Sequence, residues 1–296
     1  MILLVALACS PDSVGFEDTA VGPSDSGDTD SGDTDSGDTD SGDTDDTEEP
    51  LPLADYDDGD GPRSVDEESD EVAGSDVVWF TPDGEPLGAL VWSHGFARGA
   101  GNHASAARRA ASWGFLVVTP SLPSFADHAA NGEFLASDLV PEARERVGDA
   151  PVALVGHSAG GLASLLAAAE GSADLLVTLD GTDVGDLGVD AADDVEIPAL
   201  VLAGEPSTCN ASGSGRAWAD DDRVLVGMPD ASHCDFESDT DGLCERLCGD
   251  ADPERQTLAQ AVAVGWIAHA WGLGADAWVP GGAAWDAAVA DGALEP

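Results

Sequence analysis

A strand, a tight turn and a helix can be identified from one stretch of this sequence, and together they constrain the fold more than any other feature. Apolar residues at 152–155 lead into Gly156-His157-Ser158-Ala159-Gly160-Gly161, and an alanine-rich run at 162–169 follows. A sharp strand-to-helix turn has no room for side chains beside its central residue, so the glycines allow strained backbone torsions at Ser158. The G-x-S-x-G pattern therefore predicts an exposed serine hydroxyl, and Ser158 is the candidate nucleophile.

The chain after residue 76 alternates between short apolar runs and alanine-rich stretches, which is typical of a mostly parallel sheet covered by helices. We predict strands at 77–81 and 87–93, joined as a hairpin around Pro82-Asp83-Gly84, then strands at 115–119, into Ser158, and at 175–179, 198–203 and 223–227. Helices are predicted at 104–112, near 133–147, after Ser158, and at about 254–271. The segment between 180 and 198 is too short for a cap domain, so we expect an α/β domain without a large cap and with an open active-site mouth.

The first quarter of the chain has a different composition. Residues 12–76 carry 25 of the 59 acidic side chains and a single basic residue, Arg63, and the motif Asp-Ser-Gly-Asp-Thr recurs within 25–44. Such a repeat lacks the large apolar residues needed to offset its ordering entropy, and its charges repel one another. We therefore predict a disordered acidic linker at 10–75 and a folded domain at 76–296. Calcium binding by the repeat is an alternative, although a complete calcium-loop pattern is missing.

Charge and the first residues bear on partners and location. Residues 77–296 carry 34 acidic and 9 basic side chains, which argues against nucleic acid or an anionic membrane surface as a partner. Residues 1–9 are an apolar run ending at Cys9, which resembles the end of a bacterial lipoprotein signal, although no basic residue precedes it. We expect an exported protein, in the periplasm or at the cell surface, anchored to the membrane by lipid on Cys9. An ordinary apolar N-terminus is the alternative.

Four further cysteines, Cys209, Cys234, Cys244 and Cys248, lie in the last third of the chain. Export would allow them to form two disulfides, and the sequence leaves three connectivities open. Cys244 and Cys248 are four residues apart, so a bridge between them is awkward if that run is helical. A four-cysteine zinc site is the competing interpretation, but paired C-x-x-C spacings are absent, and we predict no metal site.

Residues 76–272 resemble the α/β-hydrolase superfamily. The turn at Ser158, the segment His94-Gly95-Phe96 and the segment Ser232-His233-Cys234-Asp235-Phe236 fall in the order and spacing of that family. The likeness is greatest to its small capless branch, which contains chlorophyllase-like, platelet-activating-factor-acetylhydrolase-like and cutinase-like esterases. It implies a monomeric serine esterase that forms an acyl-enzyme, needs no cofactor, and acts on small-molecule or polymeric esters.

The resemblance also implies a catalytic triad. His233 lies in the loop where the family places its base, which takes the proton of the serine hydroxyl while a carboxylate fixes the ring. In the chlorophyllase-like and acetylhydrolase-like arrangement the acid ends the preceding strand, and here that residue is Asp180. Asp183 and then Glu205 are the alternative acids. A purely structural role for Asp180, as a helix cap or turn residue, is also possible.

The remaining expectations concern residues around this triad. The backbone N–H groups of Phe96 and Ala159 would form the oxyanion hole, although Phe96 could equally be a core residue. Cys209 is predicted to pair with Cys234, because both follow strands near the same edge of the site. The other five histidines are expected to serve packing, surface or turn roles: His94, His103, His128, His157 and His269. The alternative function is a catalytically inactive domain of this fold that acts in binding or adhesion.

Overall fold

The computed structural model describes residues 59–220 and 222–296, through which one eight-stranded sheet runs. Its strands are β1 (Val65–Val72), β2 (Ser75–Pro82), β3 (Ala89–Ser93), β4 (Leu116–Pro120), β5 (Val152–His157), β6 (Leu175–Leu179), β7 (Ala199–Ala203) and β8 (Arg223–Gly227). They lie in the order β1-β2-β4-β3-β5-β6-β7-β8. The pairs β1–β2 and β2–β4 are antiparallel. All pairs from β4 onward along this order are parallel. This part of the chain therefore has the α/β architecture expected from the sequence.

Helices cover both faces of the sheet. In chain order they are α1 (Ala104–Ser112), α2 (His128–Phe134), α3 (Val140–Val147), α4 (Ala159–Ala169), α5 (Leu187–Ala192), α6 (Gly242–Cys248), α7 (Pro253–Ala270) and α8 (Ala283–Ala290). One apolar core joins the sheet to α1, α7 and α8, and a second joins its other face to α2 through α5. Successive strand side chains point to opposite faces, so neighbours such as Trp79 and Phe80 are buried in different cores.

The structure corrects the predicted start of the domain. The strand β1 lies inside the segment 10–75 that was expected to be a disordered linker, so the folded domain begins before residue 76. Five of its eight residues are acidic and six are exposed. It forms the outer edge of the sheet, where charged side chains are common and discourage pairing with other chains. Composition alone cannot separate such an edge strand from a linker. Residues 1–58, which include Cys9 and the Asp-rich repeat, lie outside the described residues.

The predicted hairpin of the strands at 77–81 and 87–93 is also wrong. The strand β4 lies between β2 and β3, and β2 pairs with β1 and β4 instead. Once β1 is recognised as a strand, the antiparallel partner of β2 is supplied by β1. The helix predicted near 133–147 is divided as well, because a π-helical turn at Leu135–Leu139 joins α2 to α3.

The ends of the strands form another edge of the sheet, distinct from the outer edge strand β1. The carboxyl ends of β3 and β5 through β8 meet there, and ligand sites of open α/β sheets form at this position. The segment between β6 and β7 holds only the short helix α5. Within 59–220 and 222–296, no helix combines the length and the apolar composition required to cross a bilayer.

Candidate active site

The turn between β5 and α4 holds Ser158 in a strained backbone conformation. Its φ is 55° and its ψ is −121°, torsions that a residue with a side chain adopts only where its surroundings impose them. A Cβ atom on Gly156 would lie 2.3 Å from the carbonyl oxygen of Gly160, and one on Gly160 would lie 2.4 Å from the carbonyl oxygen of His94. The glycines of the motif are therefore required by close backbone packing.

The structure brings together the predicted base and the preferred acid. Nδ1 of His233 lies 2.5 Å from Oδ2 of Asp180, although 53 residues separate them. Asp180 directly follows β6 and is buried, with a φ of 45°. His233 begins a short 3₁₀ helix after β8. Because both strands end at the same edge as β5, the carboxylate, the imidazole and the serine turn all lie there.

Asn210 holds the Asp180 carboxylate, and the sequence analysis missed it. Its Nδ2 lies 3.1 Å from each carboxylate oxygen and donates to the carbonyl of Glu205 at 2.8 Å. Its Oδ1 accepts from the backbone N–H groups of Ser207 and Gly213, and the side chain is fully buried. The Gly204 N–H also donates to Asp180 Oδ1 at 3.0 Å. No motif marks an asparagine in an irregular loop, so the sequence carried no signal for this role.

Thr182 is a second residue that was missed. Its Oγ1 lies 3.4 Å from Oγ of Ser158, and its backbone N–H donates to the Ser158 carbonyl oxygen. Thr182 follows Asp180 by two residues, so the loop after β6 contacts both the carboxylate site and the serine turn.

The two alternative acids have other environments. Asp183 accepts from the backbone N–H groups of Gly188 and Val189 and from Nε1 of Trp218, which fixes the start of α5. Glu205 is exposed. Among the described residues, the carboxylate hydrogen-bonded to His233 belongs to Asp180.

The segment after β3 passes close to the serine. A Cβ atom on Gly95 would lie 3.0 Å from Cβ of Ser158 and 3.5 Å from its Oγ. The His94 ring fixes this segment, because Nδ1 donates to the Gly95 carbonyl at 2.7 Å while Nε2 accepts from the Leu122 N–H at 2.9 Å. This pattern requires a neutral ring, and burial lowers the pKa of His94 accordingly. A side chain at Gly95 would therefore push against Ser158, which would have to shift by a few tenths of an ångström.

The two predicted oxyanion donors belong to segments that border Ser158. Ala159 is the first residue of α4 and is buried. Phe96 follows Gly95, and its ring is 54% exposed, so it is a surface residue and the core-packing alternative does not hold. The Phe96 ring instead packs against Phe125, with ring centroids 4.1 Å apart.

Two buried histidines lie beneath the catalytic candidates. Nε2 of His157 donates to the backbone carbonyl of His233 at 3.1 Å, and the two rings are 4.5 Å apart. The His157 ring also contacts His103, which stacks on Trp92 of β3. Burial, reinforced by the neighbouring histidines, lowers the pKa of His157 well below its usual range, and burial lowers that of His103 to about 3. Both rings are therefore neutral supports.

An ion pair joins the segment after β3 to the segment that carries His233. Arg98 binds the fully buried Glu237 through two hydrogen bonds of 2.6 Å and also reaches Asp241 at the start of α6. These hydrogen bonds raise the pKa of Arg98. The two residues of the pair are 139 positions apart in sequence.

The disulfides differ from the predicted pairing. Cys209 bonds to Cys248, with Cα atoms 5.7 Å apart, and Cys234 bonds to Cys244 at 5.9 Å. The expected Cys209–Cys234 bridge is wrong because α6 lies beside the His233 segment and brings both of its cysteines to this edge. A zinc site would require thiolates, and all four sulfurs are in disulfides.

Ser158 and His233 line the same cavity of about 300 Å³. Its other walls come from the segment after β3, both disulfides and α6. A smaller cavity of about 130 Å³ is also lined by the Gly95–Arg98 segment and is bordered by Ala159, Phe125 and His128. The edge of the sheet thus offers two cavities that share one wall, and Ser158 lines the larger of them.

Comparison of the sequence with protein-family models finds no matching family, and comparison with curated proteins finds no match. The chemical reading of the site therefore depends on its own geometry. A carboxylate bonded to Nδ1 of an imidazole fixes the ring tautomer, and the other ring nitrogen is then a proton acceptor. Together with a serine in a strained turn, these are the parts needed for nucleophilic catalysis.

Proposed function

We propose that this protein is a serine hydrolase that cleaves carboxylic esters, with Ser158 as nucleophile, His233 as base and Asp180 as acid. One observation carries the proposal: Ser158, held in a strained turn with positive φ, lines the same cavity as a histidine whose Nδ1 is hydrogen-bonded to a buried carboxylate. The strand order and the position of the turn also support assignment to the α/β-hydrolase fold.

In the proposed reaction, Nε2 of His233 takes the hydroxyl proton as Oγ of Ser158 attacks the ester carbonyl carbon. The Asp180 carboxylate keeps the Nδ1 proton in place and stabilises the imidazolium that forms. The backbone N–H groups of Phe96 and Ala159 stabilise the negative oxygen, each contributing roughly 3 kcal/mol to the lowered barrier.

The intermediate collapses when His233 returns the proton to the leaving alcohol, which leaves an acyl group on Ser158. Water then attacks the acyl carbon while His233 takes its proton. The bond between that carbon and Oγ of Ser158 breaks, His233 returns the proton to Oγ, and the acid is released. Every step uses side chains and backbone groups of the chain itself.

The location of the protein is proposed from the sequence. We propose export and lipid attachment at Cys9, which would leave the domain at the periplasmic or outer surface of a membrane. The two disulfides support export, because such bonds persist in oxidising compartments. Mass spectrometry of the N-terminal peptide from membranes tests the attachment, and an unmodified Cys9 in the mature protein would contradict it.

The hydrolase proposal is tested with the full chain and its Ser158→Ala variant on p-nitrophenyl acetate and butyrate. We expect the variant to lower kcat by about 10³-fold or more. Ser69→Ala is the matched control, because Ser69 is exposed on the edge strand β1, and it should retain full activity. A fluorophosphonate should label the wild type at Ser158. Equal rates for wild type and Ser158→Ala, together with no labelling, would favour the binding-protein alternative.

A further inference from the structure

One wall of the larger cavity is formed by apolar side chains of α6, and disulfides hold this helix in place. Leu243 and Leu247 are one helical turn apart on α6 and both line the cavity, although they are 50% and 66% exposed. Leucines that are this exposed contribute little to the stability of a short surface helix, and α6 is too short to be stable alone. The disulfides at Cys244 and Cys248 hold it against the site. The helix therefore presents an apolar wall beside Ser158.

The charges in this cavity cancel. Of its described lining residues, Arg98 and Glu237 carry fixed charges, and they bind each other through two hydrogen bonds. Their side chains are 10% and 0% exposed, so neither offers an unpaired charge to a ligand. A charged substrate group would lose its hydration here without gaining a partner. The cavity favours an uncharged apolar group.

Chemistry indicates which part of an ester enters this cavity. The base must return its proton to the leaving oxygen, so the alcohol portion lies on the side of His233. His233 lines only the larger cavity, Ala159 borders only the smaller one, and Phe96, the other proposed oxyanion donor, lines both. The Gly95–Arg98 segment is a wall of both spaces.

On the basis of the proposed function, we infer that the cavity beside α6 is the subsite for the leaving group, and that it selects esters of uncharged apolar alcohols. A volume of about 300 Å³ equals that of about ten liquid water molecules at roughly 30 Å³ each, and we take one non-hydrogen atom of the alcohol as similar in size to a water molecule. The preferred alcohol is therefore an alkyl or aryl alcohol with up to about ten such atoms.

Two ester series test this inference with the full-length protein. In the first, the acid is acetic and the alcohol grows from ethanol to hexanol; in the second, the alcohol is ethanol and the acid grows from acetic to octanoic. We expect kcat/KM to rise by at least about tenfold along the alcohol series, and by less along the acid series. Leu247→Glu should lower the hexyl-to-ethyl acetate ratio by about fivefold or more, because a carboxylate replaces apolar surface at the cavity wall.

The matched control is Leu187→Glu, which makes the same replacement on α5 at a residue that does not line this cavity. Its hexyl-to-ethyl ratio should equal that of the wild type. A flat alcohol series, or a Leu247→Glu effect confined to the acid series, would overturn the subsite assignment while leaving ester hydrolysis intact. Absence of Ser158-dependent hydrolysis in both series would instead overturn the proposed function and the inference with it.

Discussion

Ser158 and Asp180 sit directly at the ends of neighbouring strands, whereas Phe96 and His233 lie in irregular segments that follow β3 and β8. In the first pair, which we call the strand-supported half, the backbone fixes each residue: the Ser158 N–H bonds to the Leu179 carbonyl, and the Asp180 N–H bonds to that of Leu202. In the second pair, the loop-supported half, side-chain links replace the sheet. The most important are two disulfides and the Arg98–Glu237 ion pair.

This difference shows two ways to hold the proposed catalytic residues within a narrow geometry. In the strand-supported half, sheet hydrogen bonds and close backbone packing fix the residues, and this requires only small side chains at the turn. Loops lose more conformational entropy when they are ordered, so cross-links over long sequence separations compensate for that cost. The Asp180–His233 hydrogen bond is the point where the two halves meet.

The largest expected effect comes from breaking that meeting point. Asp180→Asn keeps the shape of the side chain but removes the charge that stabilises the imidazolium, and it permits the wrong ring tautomer. We expect kcat for p-nitrophenyl butyrate to fall by about 10⁴-fold, with a smaller change in KM. Steady-state kinetics of both proteins at one pH measures it.

Asp183→Asn is the matched control, because Asp183 lies three residues further along the same loop and binds Trp218 and the start of α5. It should lower thermal stability but leave kcat within about threefold once the protein is folded, since its carboxylate is not bonded to the base. A greater loss of kcat in Asp183→Asn or Glu205→Gln than in Asp180→Asn would show that the acid has been assigned wrongly.

The next effect concerns the cross-links of the loop-supported half. The bridge between Cys209 and Cys248 spans 39 residues, and in the loop-entropy description its removal costs about 4 kcal/mol of unfolding free energy. We expect Cys209→Ser/Cys248→Ser to show that loss in urea unfolding followed by circular dichroism. Cys234→Ser/Cys244→Ser, whose bridge spans 10 residues, should lose about 3 kcal/mol.

Activity measurements on these variants sharpen the comparison between the halves. Because α6 and the His233 segment are the parts the bridges hold, we expect KM for hexyl acetate to rise more than KM for ethyl acetate in Cys209→Ser/Cys248→Ser. A loss below about 1 kcal/mol in both double variants would mean that packing alone orders the loop-supported half.

The two halves also differ in how far the sequence could predict them. The strand, turn and helix around Ser158 are local, and apolar patterning with glycine spacing suffices to predict them. Asp180 follows from its place at the end of a strand, combined with the resemblance to a family. The Cys209 partner, Asn210 and the Arg98–Glu237 pair depend on contacts between distant segments, and nothing in the local sequence encodes those contacts. The strand β1 was missed for another reason: at an edge, acidic exposed residues are compatible with both a strand and a linker.

The smallest expected effect concerns the buried histidines beneath the Asp180–His233 hydrogen bond. His103 contacts the rings of Trp92 and His157, and within the described part of the chain neither of its ring nitrogens has a hydrogen-bond partner. Its pKa in the folded protein is about 3, chiefly because burial disfavours the charged ring. In the unfolded chain the ring has the ordinary pKa of about 6.5. Between these values the unfolded state binds a proton that the folded state does not.

The free energy of unfolding should therefore fall as the pH falls below about 6.5, because the state that binds more protons is increasingly favoured. For His103 alone this loss amounts to about 2 kcal/mol between pH 7 and pH 5. His103→Phe keeps a ring of similar size and removes the titration, so the variant should gain about 2 kcal/mol relative to wild type over the same interval. Urea unfolding of both proteins at the two pH values measures this change, and the titration of the many carboxylates cancels because both proteins share them. If the difference in unfolding free energy between the two proteins were the same at both pH values, the His103 ring would have to keep its ordinary proton affinity in the folded state. In that case water or a polar group must contact the His103 ring, and the region between the two halves would be hydrated instead of dry.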